Sequence, residues 1–116
     1  MSELIYHVCR REEWQAAQAA GSYGGSSQDI ADGFIHFSKA AQLRGSVAKH
    51  RAGQSNLVLL VVDADQLGEV LEWEPSRSGA LFPHLYGELP VSAVVEAHDL
   101  PLGVDGAHVF PAGVPT

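Results

Sequence analysis

An unbroken apolar run at residues 57–62 constrains the fold of this chain more than any other stretch. The run reads Leu-Val-Leu-Leu-Val-Val and shows no polar alternation, so a strand formed here must be covered on both faces. It is far too short for a helix that spans a membrane. The run therefore predicts a central strand with packed layers on both sides.

The rest of the chain supplies shorter elements that can cover this strand. Further strands are predicted at residues 4–9, 34–37, 70–74 and 90–98, and helices at residues 10–20 and 39–51. Ser38 stands where the N-cap of the second helix belongs. Residues 21–28 are rich in Gly and Ser and predict an ordinary surface loop or a lid over a ligand. The pattern indicates one α+β domain over residues 1–116, with its core at about 4–110 and an extended C-terminal tail.

Charge and cysteine content exclude several classes of function. Acidic side chains outnumber basic ones 14 to 7, so the chain repels phosphate backbones and nucleic-acid binding is not expected. The single cysteine, Cys9, excludes an internal disulfide and is interpreted as a core residue. The chain starts without a signal-peptide pattern, so a cytoplasmic location and no membrane association are expected. The oligomeric state stays open.

The candidate functional residues gather in two histidine motifs. Residues 32–38 surround His36 and residues 82–87 surround His84, and each motif sets its histidine among bulky apolar residues in a run bounded by glycine. No pair of the six histidines has the spacing of a helical zinc motif, so no metal site is predicted. Ser38 lacks the glycine-flanked elbow of a serine hydrolase. The two motifs either form the walls of one site or define the packing of the fold.

If the motifs meet, their side chains suit a ligand that contains a sugar. The wider set of candidates is His7, His36, Ser38, Glu74, Arg77, His84 and Tyr86. Histidine and serine can hold hydroxyl groups, and a carboxylate can stabilise a developing oxocarbenium ion.

Several of these residues resemble a known family. Tyr6-His7, Glu13-Trp14, residues 33–38, Gln42 and residues 82–87 together are similar to a bacterial family catalogued as domain of unknown function 952. The resemblance covers about residues 4–110. It implies a compact ADP-ribosyltransferase-like fold, with two small, mostly antiparallel sheets and two main helices.

The same resemblance implies a nucleotide-like ligand, NAD or ADP-ribose, with NAD as a substrate and no certain cofactor. ADP-ribosyl transfer is the expected reaction if the protein is an enzyme, and a non-catalytic binding or regulatory module is the alternative. The implied roles are ribose contacts for His7 and Ser38, ring stacking for Tyr23 or Tyr86, a phosphate contact for Arg77, and positioning or proton transfer for His36 and His84. The resemblance places the glutamate of that fold near Glu88, which is a weak stand-in for it. Glu74, from the wider set of candidates above, is the candidate catalytic carboxylate.

Overall fold

The protein is a mixed α+β structure in a computed structural model that describes residues 3–76, 79–112 and 114. The strands are β1 (Leu4–Arg10), β2 (Ser22–Tyr23), β3 (Ile35–His36), β4 (Leu57–Asp63), β5 (Leu71–Pro75), β6 (Leu81–Leu85), β7 (Leu89–Pro90) and β8 (Val94–Leu100). The helices are α1 (Arg11–Ala20), α2 (Ser27–Asp32) and α3 (Ala40–His50), with short 3-10 turns at Ala64–Gln66, Gly68–Val70 and Val91–Ala93. All strand pairs are antiparallel and form three small sheets, in the orders β1-β4-β8, β2-β7 and β3-β6-β5.

The predicted central strand is confirmed as β4, which lies between β1 and β8. Each of its residues except Asp63 is buried. Because successive side chains of a strand point to opposite faces, β4 divides the interior into two clusters. Val58, Leu60 and Val62 pack into one cluster, and the alternating residues of the strand pack into the other.

A short bridge joins the large sheet to the first histidine motif. The backbone N–H of Tyr6 donates to the carbonyl of Ser38 over 2.9 Å, and the N–H of Ser38 donates back over 2.8 Å. Ser38 is therefore buried in a backbone bridge. The sequence had predicted Ser38 as the N-cap of α3, and this prediction was wrong. Lys39 is the N-cap, and its N–H donates to Gln42 Oε1 at 2.9 Å.

The helix α2 and the pair β2-β7 depart from the prediction of a loop over residues 21–28. Ser26 accepts a hydrogen bond from the backbone of Asp29, which begins the helix, and Gly33 ends it at a positive φ of 87°. Such a cap at each end lets a segment of only six residues form a helix. The described part of the chain thus has three helices and three sheets, where two of each were predicted.

None of the helices within the described ranges combines the length and apolar character needed to cross a bilayer.

Candidate functional site

The two histidine motifs meet because β3 pairs with β6. In this register His36 lies opposite His84, and their ring centroids are 5.5 Å apart. Directly paired residues of an antiparallel ladder that share a face have neighbouring side chains. The sheet order therefore places two imidazoles, 48 residues apart in the chain, side by side.

Phe34 forms the aromatic base of this cluster. Its ring stacks on His84 with centroids 4.1 Å apart and planes inclined by 24°. The same ring lies 4.5 Å from His36 and 5.2 Å from Tyr86, in tilted contacts. We refer to Phe34, His36, Glu74, His84 and Tyr86 as the imidazole face.

Glu74 on β5 orients the second histidine. The Nδ1–H of His84 donates to Glu74 Oε1 over 2.7 Å, and the Tyr86 hydroxyl donates to the same oxygen over 2.7 Å. The Tyr86 and His84 hydrogen bonds lower the pKa of Glu74, and the bond to Glu74 raises the pKa of Tyr86. This carboxylate is thus ionised at neutral pH and fixes which nitrogen of His84 carries hydrogen.

Asp29 and Asp32 of α2 hold the first histidine. His36 Nδ1 lies 2.6 Å from Asp29 Oδ1, and its Nε2 lies 3.0 Å from Asp32 Oδ2. The hydrogen bond to Asp29 raises the pKa of His36, against the opposing effect of partial burial. His36 therefore lies between two carboxylates and is favoured in its charged form.

Asp29 is itself buried and accepts several hydrogen bonds. Its second oxygen accepts from the Ser26 N–H at 2.7 Å and from the Ser26 hydroxyl at 2.9 Å, and its first accepts from the His36 backbone. Burial alone would raise the pKa of Asp29, but the hydrogen bond from the His36 ring and those from the backbone N–H groups of Ser26 and His36 lower it well below its usual range. Asp29 is an ionised group that links α2 to β3.

His7 and Tyr23 lie beneath this cluster in the interior. The Nδ1–H of His7 donates to the carbonyl of His36 at 2.6 Å, and the Tyr23 hydroxyl donates to His7 Nε2 at 2.7 Å. Burial lowers the pKa of His7 and raises the pKa of Tyr23, so both stay neutral at physiological pH. Burial also raises the pKa of nearby Cys9 to about 12, which leaves its thiol protonated and a poor nucleophile.

The structure brings some of the predicted site residues together and separates others from solvent. His36, Glu74, His84 and Tyr86 share the imidazole face. The predicted ribose contacts His7 and Ser38 are buried at 4% and 6% exposure, and Tyr23 is buried at 2% rather than lying in a lid. These three are packed and hydrogen-bonded inside the fold, so they do not line the face. Arg77 lies outside the described residues.

Sequence reasoning missed Asp29 and Asp32, the partners of His36. The spacing of Ser26 and Asp29 is that of a capping box, and Gly33 stands at the position of a helix C-terminal glycine. Those signals point to α2, which places both carboxylates beside β3. They do not by themselves indicate that the carboxylates bind a histidine.

A depression of about 280 Å³ shares Phe34 with the imidazole face but is not lined by either histidine of the face. Its lining is Gly24, Asp29, Ile30, Gly33, Phe34, Ile35, Leu85, Gly87 and Glu88. The depression is mainly apolar at its base, and its charged members are both acidic. Among the described residues, no group of three or more His, Cys, Asp or Glu side chains is arranged to hold a metal ion.

The fold and this cluster define a small α+β domain that carries paired histidines, each with a carboxylate partner, on a sheet face. Residues 8–97 match the family described as Protein of unknown function (DUF952), so the chain belongs to that family. Among curated proteins, none matches the chain.

Three solved structures of protein CC0527 from Caulobacter crescentus are similar to this chain. An X-ray structure is 53% identical, with a TM-score of 0.88 over 91% of this chain and 93% of that chain. An X-ray structure of a double mutant is 52% identical, with a TM-score of 0.87 over the same shares. A solution NMR structure is 54% identical, with a TM-score of 0.80 over 90% of each chain.

Proposed function

We propose that the protein binds NAD or an ADP-ribose-like nucleotide at the imidazole face, and that ADP-ribosyl transfer is the reaction if the bound nucleotide is turned over. The proposal depends on one observation, the placement of His36 and His84 side by side on Phe34 with Glu74 at hydrogen-bond distance from His84. Aromatic, imidazole and carboxylate groups together suit a ring joined to a sugar.

Local charge favours one end of such a nucleotide. Asp29, Asp32 and Glu74 supply three carboxylates around His36 and His84, and the whole chain carries a net charge of −7. This excess of negative charge attracts the cationic nicotinamide ring and a developing oxocarbenium ion, and it repels a diphosphate. We therefore place the nicotinamide riboside end on the face, with the phosphates directed away from it.

The roles proposed for individual residues follow from their exposure. Tyr86 is 44% exposed, so its ring is available for stacking on the ligand, while Phe34 is stacked on His84 and supports the face. Glu74 is the carboxylate proposed to stabilise positive charge at the ribose. The resemblance to ADP-ribosyltransferases supports the ligand class, while the burial of His7 and Ser38 makes them supports of the face rather than ribose contacts.

Thermal unfolding with added ligands tests this proposal. NAD, ADP-ribose and nicotinamide riboside are each added to the full chain and to Glu74→Gln, with Glu96→Gln as the matched control on β8. A ligand at one hundred times its Kd stabilises the folded state by about 2.7 kcal/mol. We expect NAD and nicotinamide riboside to raise the Tm of the wild type and the control, and to raise that of Glu74→Gln less. No shift with any of the three would contradict the proposal.

A non-catalytic binding module is the second candidate, and the state of Glu74 favours it. One oxygen of this carboxylate already accepts two hydrogen bonds, from His84 and Tyr86, which reduces its capacity to act on a ribose. Chromatographic assay for free nicotinamide after incubation with NAD separates the two candidates. A rise in Tm without release of nicotinamide supports the binding module.

A further inference from the structure

The two imidazoles of the face are held in different ways. Both nitrogens of His36 face carboxylate oxygens, at 2.6 Å from Asp29 and 3.0 Å from Asp32. Ionised carboxylates only accept hydrogen bonds, so both ring nitrogens of His36 must carry hydrogen. A ring with two N–H groups has no lone pair left to accept a proton.

His84 has one carboxylate partner and one nitrogen to spare. Its Nδ1 lies 2.7 Å from Glu74 Oε1, which makes Nδ1 the donor of the neutral ring and leaves the lone pair on Nε2. Within the described parts of the chain, Nε2 has no hydrogen-bond partner. The stacked Phe34 ring fixes the plane of the imidazole, so the direction of this lone pair is also fixed.

We infer that His84 Nε2 is the proton acceptor of the imidazole face. His36 is an imidazolium at neutral pH, and Asp29 is the positioning residue that holds it. The inference rests on the proposed function for its substrate and on hydrogen-bond geometry for its assignment of roles. It assigns different roles to two histidines whose sequence motifs are alike.

The proton transfer fits a balanced reaction. A hydroxyl group or water gives its proton to His84 Nε2 while its oxygen forms a bond to the ribose C1′ of NAD. The bond from C1′ to the nicotinamide nitrogen breaks, and its electron pair leaves with that nitrogen, which becomes neutral. His84, now charged, releases the proton to solvent.

The groups that face each imidazole set its protonation. His36 faces Asp29 and Asp32 of α2, His84 of β6 and, through its backbone carbonyl, His7 of β1. His84 faces Glu74 and the paired Glu72 of β5, together with His36 and the Glu74-bound Tyr86. Each histidine therefore has a distinct carboxylate that can be neutralised separately.

Nitrogen NMR of the imidazole rings between pH 5.5 and 9 tests the assignment without any nucleotide. At pH 7 we expect both nitrogens of His36 to be protonated, and the neutral form of His84 to be the Nδ1–H tautomer. Glu74→Gln should remove the tautomer preference of His84 alone, and the control Glu96→Gln should alter only His98. A neutral His36 at pH 7, or a His84 with hydrogen on Nε2, would overturn the inference.

Two variants test the positioning role of Asp29. Asp29→Asn should lower the titration midpoint of His36 by at least about one pH unit, a change of about 1.4 kcal/mol in the preference for its charged form. Asp32→Asn, at a half-exposed position, keeps the test available if Asp29→Asn does not fold, and should expose a titratable Nε2 on His36. An unchanged His36 titration in both variants would refute the role.

Turnover of NAD provides a second test of the role of His84. We expect His84→Gln to lower kcat for nicotinamide release at least about 100-fold with KM within about twofold, the loss typical of a missing general base. Full kcat in His84→Gln would refute the role of His84. If the wild type releases no nicotinamide, the proposed reaction fails, and the NMR assignment alone decides which imidazole can accept a proton.

Discussion

At the scale of single residues, Asp29 connects the helix α2 to the histidine cluster. A buried carboxylate is costly unless hydrogen bonds and a positive partner satisfy it. Asp29 receives both, from Ser26, from the His36 backbone and from the His36 ring. The charged pair of Asp29 and His36 therefore stabilises the fold only while both members are present.

Asp29→Asn should lower the free energy of unfolding at pH 7 by about 3 kcal/mol, because it removes the buried one of the two carboxylates that pair with His36 and weakens the hydrogen bonds that Asp29 accepts. Asp32→Asn is the matched control. Its side chain is 39% exposed, so the loss should stay within about 1 kcal/mol. Urea unfolding of both variants measures the difference, and equal losses would contradict the central place given to Asp29.

Tyr23→Phe should destabilise the protein by about 1–3 kcal/mol, because it removes the only O–H donor that His7 Nε2 has among the described residues. Tyr86→Phe loses a hydrogen bond of similar length to Glu74, but at an exposed position. Its effect should stay within about 0.5 kcal/mol. The comparison of the two urea midpoints tests whether Tyr23 is a structural residue, and a larger effect at Tyr86 would contradict it.

At the scale of elements, prediction from the sequence succeeded where the signal was local and long. The apolar run of β4, the β-formers of β1 and β8, and the acidic first turn and terminal glycine of α1 are all visible in the chain itself. The elements β2 and β7 have two residues each and exist only because they pair with each other. No periodicity can appear in so short a segment.

Some residues of the candidate site could likewise be predicted from the sequence, and others could not. His36 and His84 stand out in the sequence because each lies among aromatic and apolar residues, yet their contact depends on the β3-β6 register. Asp29 was not among the predicted site residues, because nothing in the neighbouring sequence reveals that it is buried. Tyr23 looked like a lid residue because glycine and serine surround it, although its ring belongs to the core.

The termination of α2 gives a test at this scale. Gly33→Ala should cost about 1 kcal/mol, because Gly33 has a φ of 87° that a residue with a Cβ atom adopts only with strain. Gly45→Ala, in the exposed interior of α3, should instead stabilise by about 0.5–1 kcal/mol, since its added Cβ meets nothing within 4 Å. Opposite signs in thermal unfolding are expected, and a stabilising Gly33→Ala would contradict the helix end assigned here.

At the scale of the whole molecule, β4 holds the two core clusters together. Leu60 faces the cluster beneath α1 and the histidines, and Leu59 faces the cluster beneath α3. Both side chains are fully buried, so neither can be shortened without leaving a cavity. The two faces of one strand thus carry the packing of both halves of the domain.

Leu59→Ala and Leu60→Ala should each lower the free energy of unfolding by about 2–5 kcal/mol, through lost burial and the cavity left behind. Val95→Ala on β8 is the control, because its side chain is 48% exposed and its truncation should cost less than about 0.5 kcal/mol. Urea unfolding measures all three. If either alanine variant unfolds at the same urea concentration as the wild type, the cluster that its leucine faces does not contribute to the core.

The pH dependence of stability near neutrality includes histidines whose pKa values shift in opposite directions: burial lowers those of His7 and His50, and Asp29 raises that of His36. Burial lowers the pKa of His7 from its ordinary value of 6.5, so the unfolded chain binds the proton more readily and stability falls as the pH drops below 6.5. The bond to Asp29 raises the pKa of His36 above the same value, so its contribution is fully present below 6.5 and is lost as the pH rises through the raised pKa. Stability should therefore be greatest near pH 6.5.

Urea midpoints between pH 5 and 8 test this balance in the wild type and in His36→Gln. The variant should be less stable at pH 6 and should lose the decline on the alkaline side, while it keeps the decline on the acidic side that His7 causes. Cys9 sets the upper limit of this range, because burial raises the pKa of its thiol to about 12 while the unfolded chain loses that proton near the ordinary pKa of 9.0, so Cys9 adds its own decline above pH 8. In the wild type Asp29 does not interfere, because the hydrogen bond from His36 helps to lower its pKa below the range. An alkaline decline that persists unchanged in His36→Gln would show that another group causes it, and that the Asp29–His36 pair adds nothing to the stability of the fold.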